Sequence, residues 1–373
     1  MSDTYLITGG AGFIGRRLCN ELLAHGARVR VLDCLAEQVH GSIVPTLPPE
    51  VRFMRGDVRD ADAVARATDG VDGVFHLAAE VGVGQSMYEV SRYVGANDLG
   101  TAVLLEQLIR RPVRRLVVAS SMSVYGEGRY RRADGRPAVA CRRERSRDAA
   151  GWDPAGWDPV AQDGAPLEPV PTDEAKEPDL ASIYALTKYA QERSCLIVGA
   201  AHGFSTVALR LFNVFGPGQA LSNPYTGVLA NFGSRLLNGQ RPIVFEDGRQ
   251  QRDFVHVDDI ATAFRLAMVQ PDVDGEVFNI GSGHAYSIAD VAQMLAAAMD
   301  LAQLRPEVVG KARAGDVRHC YADIGKAAAK LGYAPTRLLR ESLGELAAWI
   351  GGSAALDRGE LAKRELEAFG LVA

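Results

Sequence analysis

Lysine is scarce in this chain: only six of its 41 basic residues are lysine, the remainder being arginine. We read that bias as compositional, with one lysine, discussed below, as the exception. Long apolar runs are missing too, and no window approaches the ~18 uninterrupted apolar residues of a membrane span. The opening MSDTYLITGGAGFIG lacks a charged n-region, an apolar h-region and a small-residue cleavage site, so no secretory leader and a cytosolic location are expected. Five cysteines (Cys19, Cys34, Cys141, Cys195 and Cys320) are an odd number, scattered and without a CxxC pair. Neither a disulfide framework nor a thiolate zinc site is therefore expected, and the thiols should be reduced. A net charge of -5 gives no overall attraction to nucleic acid or to an anionic membrane, so any phosphate must be held locally.

What is there describes an ordinary globular chain: 373 residues, 47% hydrophobic and 23% charged, with a mean hydropathy of -0.04. That length suits one large or two interlocked domains. Short apolar runs alternate with helical patterns over the first two thirds, the signature of a parallel sheet wound with helices on both faces. Strands are expected at Tyr5 to Thr8, Val29 to Asp33, Val51 to Met54, Val74 to Leu77, Leu116 to Ser120 and Thr206 to Leu211. Helices are expected at Phe13 to Ala24, Ala61 to Thr68, Thr101 to Ile109 and Ile183 to Ala200. After Gly216 the elements shorten, with a helix to about Leu237, strands at Ile243 to Phe245 and Asp253 to Val257, and a helix opened by Ser287 with Asp290 three residues on.

The expected fold is therefore α/β: a Rossmann-type doubly wound parallel sheet with a smaller, mixed α/β C-terminal substrate domain. We assign 1–213 to the larger domain, with 254–281 returning to it, 214–253 and 282–350 to the smaller one, and 351–373 to a C-terminal helix or tail. Residues 128–178 fit neither: they are rich in Arg, Asp, Pro and Gly, and contain the duplication AGWDPAGWDP. Excursions this long inside a domain are usually functional, so a partly ordered flap packing Trp152 or Trp157 is expected.

Chemistry is concentrated in a few motifs. TGGAGFIG places Gly9, Gly12 and Gly15 between a strand and a helix, where bare backbone lets a pyrophosphate approach the helix N-terminus. Asp33 ends the next strand, where a carboxylate can accept from both hydroxyls of an adenosine ribose and would repel a 2'-phosphate. NAD is thus expected over NADP, with Arg16 and Arg17 leaving NADP as the alternative. Asp57 and the run His76-Leu77-Ala78-Ala79 follow later strands, at the ends where open α/β sheets bind ligands. Asp57 can meet an adenine amine, and Ala78 and Ala79 permit close passage of a cofactor, whereas His76 reads as a satisfied structural histidine and Asn97 as a buried polar bracket. Finally, Ser121 ends a strand, and Tyr184 and Lys188 stand four apart on a helix. There the ammonium can favour the tyrosinate and hold a nicotinamide ribose, making a proton-transfer pair with the serine hydroxyl.

With these motifs the chain resembles the extended short-chain dehydrogenase/reductase superfamily, and within it the nucleotide-sugar epimerases and dehydratases. The resemblance runs from Thr4 to about Ala334 and rests on TGGAGFIG, GDV, HLAA, SSMSVYG, YALTK, LRLFNVFGPG, RDFVHVDD, FNIGSG and GDVRHCYADI. It implies Ser121, Tyr184 and Lys188 as the catalytic triad, with Tyr184 the base. It implies cofactor contacts at Gly9, Gly12, Phe13, Ile14, Gly15 and Asp33, then at Asp57, Val58, Leu77, Ala78, Ala79, Asn97 and Ser120, besides Tyr184 and Lys188. A sugar nucleotide would be held by Ser121, Ser123, Asn213, Arg252, Arg313 and Asp316, with Phe245 stacking on the base; an arginine fork suits a diphosphate.

Within the family, dehydration needs a general acid and base after Ser121, and Met122 and Ser123 supply neither. Epimerisation at C4 through a transient 4-keto sugar is expected instead, with an overall look similar to bacterial 4-epimerases of the dTDP-L-rhamnose type. A ketoreductase with the same triad would consume NAD(P)H stoichiometrically, whereas a 4,6-dehydratase, a 3,5-epimerase or a noncatalytic nucleotide binder lacks support in these residues. Some relatives carry Cys and His in the insertion, but only Cys141 and no His lies there, so no metal is expected. The resemblance also implies a homodimer built on the helices at Thr101 to Ile109 and Ile183 to Ala200.

Overall fold

The computed structural model describes residues 2–41, 45–138, 140, 157–161, 163–223, 225, 227–313, 315–353, 357 and 359–372. Cys141 and Trp152 lie outside the described residues. Seven parallel strands form the main sheet: β1 (Thr4–Thr8), β2 (Arg28–Asp33), β3 (Arg52–Arg55), β4 (Gly73–His76), β5 (Arg115–Ser121), β6 (Ser205–Leu211) and β7 (Val277–Ile280). Their spatial order is β7-β6-β5-β4-β1-β2-β3. The order reverses between β1 and β4, and a crevice forms there at the strand C-termini, where doubly wound sheets take their ligands.

Both faces of the sheet are buried except at the edge strand β3, which is largely exposed, and the inner strands therefore read as nearly continuous apolar runs. Ile7, Val31, Phe75, Val117 and Leu209 face the helices Phe13–Ala24 and Val257–Val269, through Leu18, Leu22, Ile260 and Phe264. Leu6, Leu32, Val74, Leu116 and Ala208 face the helices Ala61–Thr68, Gly100–Arg110 and Ile183–His202, through Val64, Leu104, Leu108 and Cys195. Each fully buried aliphatic side chain is worth roughly 1.5–3 kcal/mol of transfer free energy. The helix expected over Phe13 to Ala24 and that over Ala61 to Thr68 form with those bounds. Asp60 caps the latter, accepting from the backbone N–H groups of Asp62 and Ala63.

A separate apolar cluster lies beyond β6. Leu229, Phe232 and Leu236 of the helix Val228–Leu237 pack with Val291 and Leu295 of Ile288–Ala298 and with Leu343 and Ile350 of Leu339–Gly351. Ser287 opens the second of these helices and accepts from the backbone N–H of Asp290. A small sheet pairs Asn213–Phe215, Gln251–His256, Ala285–Ser287 and His319–Cys320. It sets Asn213 opposite Phe254, and Arg252 opposite Cys320.

The insertion contributes a three-stranded sheet of Arg129–Arg131, Pro137–Ala138 and Glu168–Val170. Trp157 is buried. The π-helical turn at Val94–Leu99, which carries Asn97, has no sequence signal, whereas β7, which completes the sheet edge beside β6, lies in the segment 254–281 expected to return to the larger domain. No helix among the described residues is long and apolar enough to cross a membrane.

Candidate active site between the sheet ends and the small lobe

The glycine-rich turn is shaped by backbone crowding. Gly9 has φ of +68°, its N–H donates to Leu32, and a Cβ there would lie 2.8 Å from the Ala78 nitrogen. A Cβ on Gly15 would lie 2.5 Å from the Gly10 Cα. Gly10 is equally confined, by Val31 at 2.7 Å, and was not singled out from the sequence. Gly12 precedes the helix without any side-chain cap, so the first-turn N–H groups of Phe13, Ile14 and Gly15 are left for an anion. The described chain thus fits a dinucleotide: an uncapped helix start, a turn too tight for side chains, and a carboxylate at the end of the next strand.

That carboxylate, Asp33, is buried and accepts from the backbone N–H groups of Ala11 (3.0 Å) and Leu35 (2.8 Å), with His40 Nε2 at 3.6 Å. Beyond it lies an apolar pocket of about 280 Å³ walled by Leu35, Leu47, Pro48, Val51 and Phe53. Arg16 and Arg17 point elsewhere: they donate to the carbonyls of Gly218 and Pro217, so neither awaits a 2'-phosphate beside Asp33. Val58 packs on Gly100. Arg59 grips both carboxylate oxygens of Asp57, at 2.9 and 2.6 Å, and holds its carboxyl below the usual range.

Behind the crevice runs a closed polar chain. His76 is fully buried, with Nδ1 2.7 Å from Thr8 Oγ1 and Nε2 2.9 Å from Thr101 Oγ1, and burial drives its pKa down to about 3. It is a neutral structural group. Asn97 brackets the backbone of Glu80, accepting from its N–H at 2.7 Å and donating to its carbonyl at 3.2 Å. Gln191, absent from the sequence-based set, joins this chain to the catalytic motif. Its amide donates to Thr101 (2.8 Å) and the Ala78 carbonyl (3.3 Å), while its Oε1 accepts from Lys188 Nζ at 2.6 Å. Its place one helical turn after Lys188 is the signal that was available.

Ser121 and Tyr184 come together, as their spacing implied. Ser121 Oγ accepts from the Ser123 N–H (3.2 Å) and the Ser123 hydroxyl (2.9 Å), which leaves its own O–H to donate. Tyr184 is partly exposed, yet its hydroxyl lies deep enough that burial raises its pKa, while the hydrogen bond with Ser121 acts in the opposite direction. The expected lowering of the Tyr184 phenol is not found: burial raises it, and Lys188 Nζ donates to Gln191. Burial in turn brings the Lys188 ammonium down to about 8. The Ser120 hydroxyl is turned the other way from Ser121: successive strand residues face opposite ways, and it donates to buried Glu192 at 2.6 Å, which Arg210 clasps at 2.6 and 2.9 Å.

Across the crevice, four of the residues expected to hold substrate form one cluster. Asp316 joins Arg252 (3.4 Å) to Arg313 (2.8 Å), and the Arg313 guanidinium lies 4.6 Å from the centre of the Phe245 ring. Arg252 is buried and also donates to the carbonyls of Gln251, Arg318 and Val317. Asn213 has a buried amide oxygen without a hydrogen-bond partner, a vacancy in its bonding that a ligand donor would fill. Gly315, between Arg313 and Asp316, is so close to Ala181 and Ser182 that a Cβ would lie 3.0 Å from the Ala181 carbonyl. The cluster therefore abuts the start of the helix that carries Tyr184.

Known proteins are similar to this chain. The chain is 38% identical over 353 residues to a dTDP-L-rhamnose 4-epimerase from Burkholderia thailandensis, covering 92% of this chain and 94% of that protein. Among solved structures, the UDP-glucose 4-epimerase of Thermotoga maritima with UDP-glucose superposes with a TM-score of 0.75 at 30% identity, over 93% of this chain and 98% of that one. The UDP-glucuronic acid 4-epimerase of Bacillus cereus, in complex with UDP-glucuronic acid and NAD, gives 0.77 at 26% identity, over 94% and 99%. The model of one family spans residues 5–140 and 160–281, and so takes in the glycine-rich turn, the Ser121 strand end, the Tyr184 helix and Arg252; the chain belongs to the NAD dependent epimerase/dehydratase family.

Proposed function

We propose that this protein epimerises a nucleoside-diphosphate sugar at C4 through a transient 4-keto sugar, using NAD held at the glycine-rich turn. The observation that carries this reading is the Ser121–Tyr184 hydroxyl pair, set between a dinucleotide cradle and an arginine cluster. When bound, NAD supplies the hydride acceptor and donor at C4. Tyr184 takes the proton of the C4 hydroxyl and later returns it. Ser121, whose lone pairs already accept from Ser123, donates to the same sugar oxygen. Lys188, oriented by Gln191, holds the nicotinamide ribose.

On the other side of the crevice, Arg252, Arg313 and the amide NH2 of Asn213 take the diphosphate, and Phe245 takes the base. Asp316 keeps the two arginines paired until substrate arrives. The division of the chain near residue 213 into a cofactor domain and a substrate domain is part of this reading. The identity to the Burkholderia enzyme makes dTDP-L-rhamnose the first substrate to try. A cytoplasmic homodimer completes the proposal. Leu99 (53% exposed), Leu186 (46%) and Ile197 (58%) leave apolar side chains on the π-helical turn and on the helix Ile183–His202 for a second copy to cover.

The test incubates purified protein, without added cofactor, with UDP-, dTDP- and GDP-hexoses and follows the C4 configuration by proton NMR. Interconversion of one pair without net NADH change is expected. Conversion only when NAD(P)H is supplied, with stoichiometric consumption, would replace this reading with a ketoreductase. Light scattering after size exclusion should give the mass of two chains.

A further inference from the structure

We propose that Asp158, in the insertion, positions the nucleoside-diphosphate cluster by anchoring Arg318, a buried residue that ties together the chain segments carrying Phe245, Arg252 and Asp316. The inference rests on the reading of that cluster given above and adds a residue that touches no substrate.

Arg318 is fully buried, and its guanidinium is shared among three carboxylates from two segments distant in sequence. Nε donates to Asp158 at 2.7 Å, Nη1 to Glu246 at 2.9 Å and to Asp247 at 2.5 Å, and Nη2 to Asp247 at 3.0 Å. Glu246 and Asp247 directly follow Phe245. The backbone of Arg318 is tied as well: its N–H donates to Glu127 at 2.7 Å, and its carbonyl accepts from Arg252 Nη1 at 3.0 Å. The place of the Arg252 fork therefore depends on where residue 318 is held. Asp158 closes the set from outside, with His319 Nε2 3.2 Å from the oxygen that Arg318 also reaches. Hydrogen bonds from His319 and Arg318 hold its carboxyl below the usual carboxylate range.

The three acids differ in how they can be probed. Glu246 is buried at 1% and Asp247 at 18% side-chain exposure, whereas Asp158 is 58% exposed. Removing the Asp158 charge leaves Arg318 with two carboxylates and no cavity, so the fold is retained. What is lost is the constraint from one side, and Arg318 relaxes toward Asp247, carrying its carbonyl and the Arg252 fork with it.

The experiment titrates dTDP and, separately, UDP into the NAD-bound protein by calorimetry, with sugar-nucleotide kinetics alongside. Asp158→Asn should weaken the nucleoside diphosphate by about fivefold to tenfold and raise KM equally, with kcat and bound NAD unchanged. Asp158→Glu, which keeps the charge, should restore most of the loss. Unchanged affinity in Asp158→Asn, or a fall in kcat and bound NAD together, would overturn the proposal. Arg313→Ala is measured in parallel: if it weakens dTDP or UDP while Asp158→Asn does not, only the positioning role fails. If Arg313→Ala also has no effect, the cluster itself is misassigned and the proposal falls with it.

Discussion

In the function proposed above, the two sides of the crevice recognise anionic ligands by opposite means. On the sheet side the contact surface is backbone and small residues: Gly9, Gly12 and Gly15 at the turn, with Ala78 pressed against Gly9. Behind it His76 and Gln191 are bonded to each other and to Thr101, and Asn97 to Thr187 and the Glu80 backbone. On the other side the surface is arginine, and each guanidinium is already paired with carboxylates. A site that must hold its cofactor through many turnovers is served by donors that cannot move. A site that must release product is served by ion pairs that can exchange one anion for another at small net cost.

The sharpest test of that contrast removes the group standing between the two sides. Tyr184→Phe should lower turnover by roughly 10²–10⁴-fold in the NMR assay, while bound NAD and dTDP affinity stay at wild-type values. Breaking the rigid side comes next. Gly15→Ala forces a Cβ to 2.5 Å from the Gly10 Cα, and neither backbone can yield. Cofactor extracted from the purified protein should show affinity reduced by about tenfold to hundredfold, with nucleoside-diphosphate binding retained. On the exchanging side, Arg313→Ala removes a charge-assisted contact worth about 1.5–3 kcal/mol. KM should rise by roughly tenfold to hundredfold with kcat preserved.

A pH profile sharpens the comparison from the sheet side. Burial lowers the Lys188 pKa to about 8, so the ammonium is lost as pH rises through that value and is fully present below it. Turnover should therefore fall on an alkaline limb near pH 8, by about tenfold per unit beyond it. Lys188→Arg, charged throughout, should lose the limb even if its turnover is low. The smallest effect is expected at Asp57. Arg59→Ala frees a carboxylate from a half-exposed ion pair, and cofactor affinity should move by less than about fivefold.

How much of this could be read beforehand depended on whether a signal was local. The helix Phe13–Ala24 and its glycine turn are written in neighbouring residues, whereas the pairing of Tyr184 with the distant Ser121 strand end was legible only through the order of the motifs. Lys188 was placed on its helix without its Gln191 partner, because i,i+4 spacing says which face a side chain shares and not which acceptor it meets; Gln191 accepts from it at 2.6 Å. Ser120 shows the converse: two serines in a row cannot both face the crevice, and only the strand's pleat decides which does. Arg318 was illegible for another reason, since one arginine in an arginine-rich chain looks like any other until the chain brings Asp158, Glu246 and Asp247 around it.

The position of β7 has a consequence for how the chain is made. The sheet is laid down in order as far as β6 at Leu211, but its remaining edge strand begins only at Val277, after the intervening small-lobe residues. Synthesis proceeds at about 5–20 residues per second, so the nascent sheet spends seconds with β6 as an open edge, a template for unwanted pairing. The helix Val257–Val269, which packs beside Phe13–Ala24, arrives in the same interval. Ribosome-bound chains halted before residue 277 should therefore be protease-sensitive and prone to aggregation, and those halted far enough beyond Ile280 to clear the exit tunnel should become resistant.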